Sequence, residues 1–121
     1  MLAAQLPLLA TVTDGRTPNI GPKRSLRRYD DETLIFNENT DGQHLRNLQA
    51  GSQAAVAVVD REARDGYRLL GAPSVWTEGE PFEAAVAYAL EHGMGGPRAA
   101  VLIHIDAIYS LKPGAGAGKP V

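Results

Sequence analysis

The sequence predicts a mainly β domain, an antiparallel barrel of six strands carrying two short helices. Short apolar, partly β-branched runs of strand length recur along the chain. Most follow one another through short turns, which favours antiparallel pairing over a doubly wound sheet. Only two segments carry the i, i+3, i+4 spacing of a helix, and no internal repeat is present.

The first strand is read over residues 6–13 (LPLLATVT) and stops at Asp14-Gly15, a strong turn signal. A second strand begins near Pro18 and continues through Arg28. Its residues alternate without a clean apolar face, since Lys23 and Arg27 fall on one side and Arg24 and Arg28 on the other. Such a strand belongs at a rim, a subunit boundary or a ligand, and Pro22 in its middle suits an irregular or edge position. After the polar turn Asp30-Asp31, a third strand covers 33–37 and runs into the loop Glu38-Asn39-Thr40-Asp41-Gly42. Residues 43–50 form the first helix, anchored by Leu45 and Leu48, with His44 and Asn47 sharing a neighbouring stripe.

A fourth strand, 53–60 (QAAVAVVD), leads through a charged connection to a fifth at 66–77, in which Gly71 marks a bulge or bend. The second helix is read over 81–92, with Pro81 in its first turn and Phe82, Ala85, Val86, Ala89 and Leu90 at helical spacing. Residues 99–111 (AAVLIHIDAIYSL) return as a long last strand, and 113–121 are expected to be a flexible tail.

A chain of 121 residues with 44% hydrophobic content suits one domain over 1–121. The net charge of −2 argues against a general nucleic-acid binder, and the lack of cysteine excludes disulfides, thiol nucleophiles and thiolate metal sites. No run approaches the ~18 apolar residues of a membrane span, and residues 1–10 lack a basic start, so the expectation is a cytoplasmic protein without membrane contact.

Function concentrates in residues 19–47, where Lys23, Arg24, Arg27 and Arg28 precede a polar loop and a helix start. Free backbone N–H groups, Thr or Asn side chains and nearby cations together suit a phosphate. The bland alternative is a solvated cationic strand, with Thr40 or Asp41 serving only as a helix cap. The tail PGAGAGKP lacks the earlier Gly, the following Ser or Thr and the helix of a nucleotide-binding P-loop. His44, His92 and His104 share no ligand spacing, so no metal site is expected, and Asp30-Asp31-Glu32 reads as a polar turn. No catalytic residue stands out.

In succession, LATVTDGRTPNIGP, KRSLRRYDDETLIF, NENTDGQHLRNL, AAVAVVD, GYRLLGAP and the final AAVLIHIDAIYSLKPG resemble the flavin-binding split barrels related to pyridoxamine 5′-phosphate oxidase. The resemblance implies a split barrel, a homodimer, and FMN in the cleft between two chains, ahead of a deazaflavin or haem. It places Pro22, Lys23, Arg24 and Ser25 along the flavin, and Phe36, Asn37, Asn39 and Thr40 around its phosphate and ribityl chain. His44 stands where the family often has a lysine, three residues before Asn47-Leu48, and both His44 and Asn47 are carried over as cofactor-binding. The implied function is that of a small FMN-dependent oxidoreductase or electron-transfer protein with a small-molecule electron donor or acceptor. The other reading is a non-redox barrel that binds nucleic acid or another polyanion through 23–28. Net acidity and a single neighbouring aromatic, Tyr29, count against it.

Overall fold

The computed structural model describes Leu2 and residues 4–121; Met1 and Ala3, in the short stretch before the first strand, lie outside the described residues. The elements are β1 Leu8–Thr13, β2 Thr17–Pro22, β3 Arg27–Asp30, β4 Thr33–Glu38, α1 Gln43–Gln49, β5 Ala54–Asp60, β6 Asp65–Trp76, α2 Glu80–Glu91 and β7 Ala99–Ser110. The strands form one sheet in the order β2-β1-β5-β6-β7-β4-β3, with every neighbouring pair antiparallel.

The mainly β class and both helices agree with the sequence, but the strand count is seven and the sheet is not closed into a barrel. The strand expected from Pro18 through Arg28 is broken at residues 23–26. Pro22 brings no N–H to a ladder, the Lys23 N–H donates to the Pro7 carbonyl at 3.0 Å, and the Leu26 N–H returns to the Lys23 carbonyl at 3.1 Å. That turn drops Ser25 and Leu26 into the interior, both buried, and separates β2 from β3.

The break determines the shape of the whole sheet. β2 and β3 are its two edges, yet five Cα steps join Pro22 to Arg27, which can span at most roughly 18 Å. Laid flat, seven strands would put those edges about 29 Å apart. The sheet must therefore curl until its edges approach, and because no ladder joins β2 to β3 among the described residues, it stops as a split barrel.

Local chemistry explains the corners. Asp14 and Gly15 both adopt positive φ, 53° and 66°, and the Arg16 N–H donates to the Thr13 carbonyl, closing the β1–β2 hairpin. The β6–β7 register shifts between Leu70 and Gly71, where a Cβ on Gly71 would lie 2.3 Å from the His104 carbonyl oxygen. Only glycine lets the two backbones approach so closely.

The inner face packs Leu9, Leu26, Leu34, Phe36, Val56 and Val101 into the main core. β4 is buried along its whole length because Leu34 and Phe36 face this core while Ile35 meets Ala85 of α2 in a second cluster. Leu90, counted on the apolar face of α2 from its spacing, is instead exposed. The tail lies along the end of β7: Ser110 N–H donates to the Lys119 carbonyl, Gly118 N–H to Ser110, and Val121 N–H to Ile108. No helix among the described residues is long and apolar enough to cross a membrane.

Candidate functional site

β4 ends in a residue that the sequence reading left inside a polar loop. Glu38 is 1% exposed, and its carboxylate is enclosed by the groups expected to receive a phosphate. Lys23 Nζ lies 3.1 Å from one oxygen, while the Thr40 N–H and hydroxyl donate to the other at 3.3 and 3.2 Å. The Lys23 ammonium also sits 5.0 Å from the centre of the Phe36 ring. Phe36 itself is sealed in the core, whereas Pro22 and Asn39 are exposed.

Ser25 and Asn37 form a second unit that ties the turn to α2. The Asn37 N–H donates to Ser25 Oγ at 2.9 Å, and its side-chain amide donates to the Ala85 carbonyl at 2.8 Å. Arg27 donates to the Ser25 carbonyl at 2.7 Å and to Asn37 Oδ1 at 3.3 Å, with its guanidinium 3.5 Å from the centre of the Tyr88 ring. Burial holds the Arg27 pKa below its ordinary value, opposed by the Tyr88 phenol. Tyr88 stacks in turn on His92, ring centres 4.0 Å apart.

His44 and Asn47 do share a stripe of α1, but it is turned onto β1. Asn47 Nδ2 donates to Thr11 Oγ1 at 2.9 Å, and Thr13 Oγ1 and Gln43 Nε2 both donate to Asn47 Oδ1. Thr11 Oγ1 lies 2.8 Å from His44 Nδ1. The buried Thr11 hydroxyl thus joins Asn47 and His44 Nδ1, while His44 Nε2 faces Gly21. Burial lowers the His44 pKa, reinforced by the Lys23 charge and opposed by Glu38. The Gly42 cap of α1 makes no side-chain cap hydrogen bond, and neither Thr40 nor Asp41 caps the helix.

Across the turn from Glu38, the 23–28 stretch borders a cavity of about 830 Å³. Leu26, Val58 and Leu69 form its apolar floor, Tyr67 and Tyr88 its aromatic wall, and Arg24, Arg27 and Arg28 its charged rim. Arg28 is held by Asp31, while Arg24 is exposed and has no hydrogen-bond or ion-pair partner among the described residues. Of the cofactor-binding residues named from the sequence, Arg24 alone borders this cavity. The remaining nine cluster around Glu38, in the core, or against β1. Glu38 is the residue that sequence reasoning missed; the only signal was an acid closing a buried strand within reach of a cationic turn.

A seven-stranded antiparallel sheet whose edge strands approach without pairing, with a basic and apolar cleft beside the seam, has the form of a split-barrel protein. The chain belongs to the pyridoxamine 5′-phosphate oxidase family, whose sequence profile matches residues 2–112. It is similar to HupZ of Group A Streptococcus, with 47% identity and a TM-score of 0.87 over 97% of this chain and 93% of that one. An uncharacterised protein of Methanocaldococcus jannaschii is 28% identical over 98% of this chain and 80% of its own. An FMN-binding protein from Syntrophomonas wolfei shares the fold, with a TM-score of 0.77 over 93% of this chain and 82% of that one, at 20% identity.

The residues present can be tested against FMN group by group. The apolar floor and aromatic wall of the cleft match the chemistry of a planar ring system. A phosphate beside Lys23 and Thr40 would face the Glu38 carboxylate, which already takes one N–H of the Lys23 ammonium and both Thr40 donors.

Proposed function

We propose that the protein is a small redox protein that binds a planar, anionic cofactor in the Arg24–Arg28 cleft. FMN is the first candidate, since the family and the FMN-binding relative of the same fold support it. The observation that carries the reading is the cavity itself: about 830 Å³, within the usual range for cofactor sites, with three arginines facing an apolar floor and a tyrosine wall. A flavin bound there would supply the electron transfer, so the chain needs no acid–base motif of its own. Arg24, without a partner among the described residues, would meet the anionic group, and Arg28 can join by leaving its exposed partner Asp31. Arg27, pinned between Tyr88 and Asn37, fixes the rim. Leu26, Val58 and Leu69 keep water from the ring face. A small-molecule donor or acceptor would exchange electrons at the open side.

The same proposal includes a homodimer, working in the cytoplasm. Leu8, Val12, Ile20 and Val59 are 40, 37, 66 and 51% exposed. The register brings them onto one outer face of β2-β1-β5, since Leu8 lies opposite Ala57 and Ala10 lies between Ile20 and Ala55. A contiguous apolar sheet face of this kind suits a second copy. The polyanion reading is weaker, because two of the three rim arginines already have partners.

Titrating the apo-protein with FMN, riboflavin, a deazaflavin and haemin, followed by absorbance, tests the proposal alongside light scattering. FMN is expected to bind at one per chain in a dimer, and Arg24→Ala to weaken it about tenfold, the loss of one charge-assisted contact. Saturable binding of haemin alone would retain the redox cleft and replace the cofactor. Binding of none of the four would overturn the reading.

A further inference from the structure

We propose that Glu38 is a specificity-determining residue, a built-in anion that fills the phosphate seat formed by Lys23 and Thr40 and keeps external phosphate out. The claim stands on the seat alone and does not depend on which cofactor the cleft takes.

The seat has the chemistry of an anion site. One ammonium meets one oxygen of the Glu38 carboxylate at 3.1 Å, and one backbone N–H and one hydroxyl meet the other at 3.3 and 3.2 Å. Those are the donors a phosphate would use, and here they are occupied from within the chain. The occupant is held firmly. Glu38 is 1% exposed, its backbone carbonyl accepts the Arg98 N–H at 2.8 Å, and its register is set opposite Ala99 of β7. The β4–β7 ladder fixes its backbone, and Lys23 and Thr40 hold the carboxylate from both sides. A phosphate brought to the same donors would therefore meet a second anion at contact distance, and the repulsion between the two opposes its binding. His44 does not supply the missing cation, because its lowered pKa keeps it neutral at pH 7 and its Nδ1 is engaged by Thr11.

Replacing the carboxylate with a neutral group of the same shape should turn the seat into a phosphate site. In Glu38→Gln the amide oxygen can still accept from Thr40, while the Lys23 charge loses its counter-ion. The probe is inorganic phosphate, titrated into the ¹⁵N-labelled full chain while the Thr40 and Lys23 amide resonances are followed. The wild type should show no saturable shift, and Glu38→Gln should gain one, with affinity at least tenfold above any wild-type response. The double variant Lys23→Met/Glu38→Gln should lose it again, since the cation is gone. A merely structural ion pair would produce no gain of phosphate binding in any variant. Should Glu38→Gln fail to give a dispersed native spectrum, Glu38→Thr takes its place with the same expectation. Saturable phosphate binding at Thr40 in the wild type, or a folded Glu38 variant without it, would overturn the proposal.

Discussion

Lys23→Met should destabilise the protein by about 3 kcal/mol, because it strands a buried carboxylate. The Glu38 side chain is 2% exposed and keeps only the two Thr40 donors, at 3.3 and 3.2 Å, once the ammonium is removed. Removing one partner of a buried ion pair costs roughly 3–5 kcal/mol, and the low end applies because the Lys23 side chain is 16% exposed and water can approach. With a urea m-value near 2 kcal/mol/M for a domain of this size, the unfolding midpoint should fall by about 1.5 M at fixed protein concentration. Lys23→Met/Glu38→Leu should recover most of that loss, since an apolar pair of similar volume replaces the ions. The exposed pair of Arg28 and Asp31, with side chains 69 and 89% exposed, is the internal control: Arg28→Ala should cost under about 0.5 kcal/mol. A Lys23→Met variant within about 1 kcal/mol of wild type, or a double variant no better than the single one, would refute the view of Glu38 as a desolvated, paired carboxylate.

Gly71→Ala should cost about 2–3 kcal/mol by chemical denaturation with an unchanged m-value, because its Cβ would push into the His104 carbonyl and the Ile103 side chain. Asn37→Ala should cost about 2 kcal/mol and speed amide exchange in α2, since it removes the donor to the Ala85 carbonyl and the acceptor for Arg27. The His44 pKa is lower in the folded chain than the ordinary 6.5, so as pH falls below 6.5 the unfolded state binds more protons and stability is lost; it rises again as pH increases. That contribution is complete above pH 6.5 and should vanish from the pH profile of midpoints in His44→Gln.

Features decided by neighbours in sequence were legible in it. Asp14-Gly15 forms its turn because both residues tolerate positive φ, Pro81 opens α2 because a first-turn residue needs no N–H partner, and Gly71 bulges because nothing larger fits. What the sequence concealed depends on distant partners. Alternating cations suggested one strand through 18–28, but the pull of Leu26 into the core and the pairing of Lys23 with a carboxylate fifteen residues away break it. The stripe of His44 and Asn47 was visible, while its destination on Thr11 and Thr13 was set by how α1 packs on β1. Glu38 sat in a run of polar letters, and nothing in that run tells a buried acid from a solvated one.

The seam of the barrel also determines how copies of the chain can meet. Both free edges are blunted, β2 by Pro18 and Pro22 and β3 by its shortness and by Arg27, Arg28 and Asp30. Missing N–H groups and charged side chains make poor templates for another strand. Growth by adding backbone to backbone is thereby blocked, although the curled sheet leaves two edges open. In the proposed homodimer the contact would therefore use side-chain surfaces, where a two-fold arrangement buries the same patch on both copies and then stops. An incompletely closed barrel can in this way pair without polymerising.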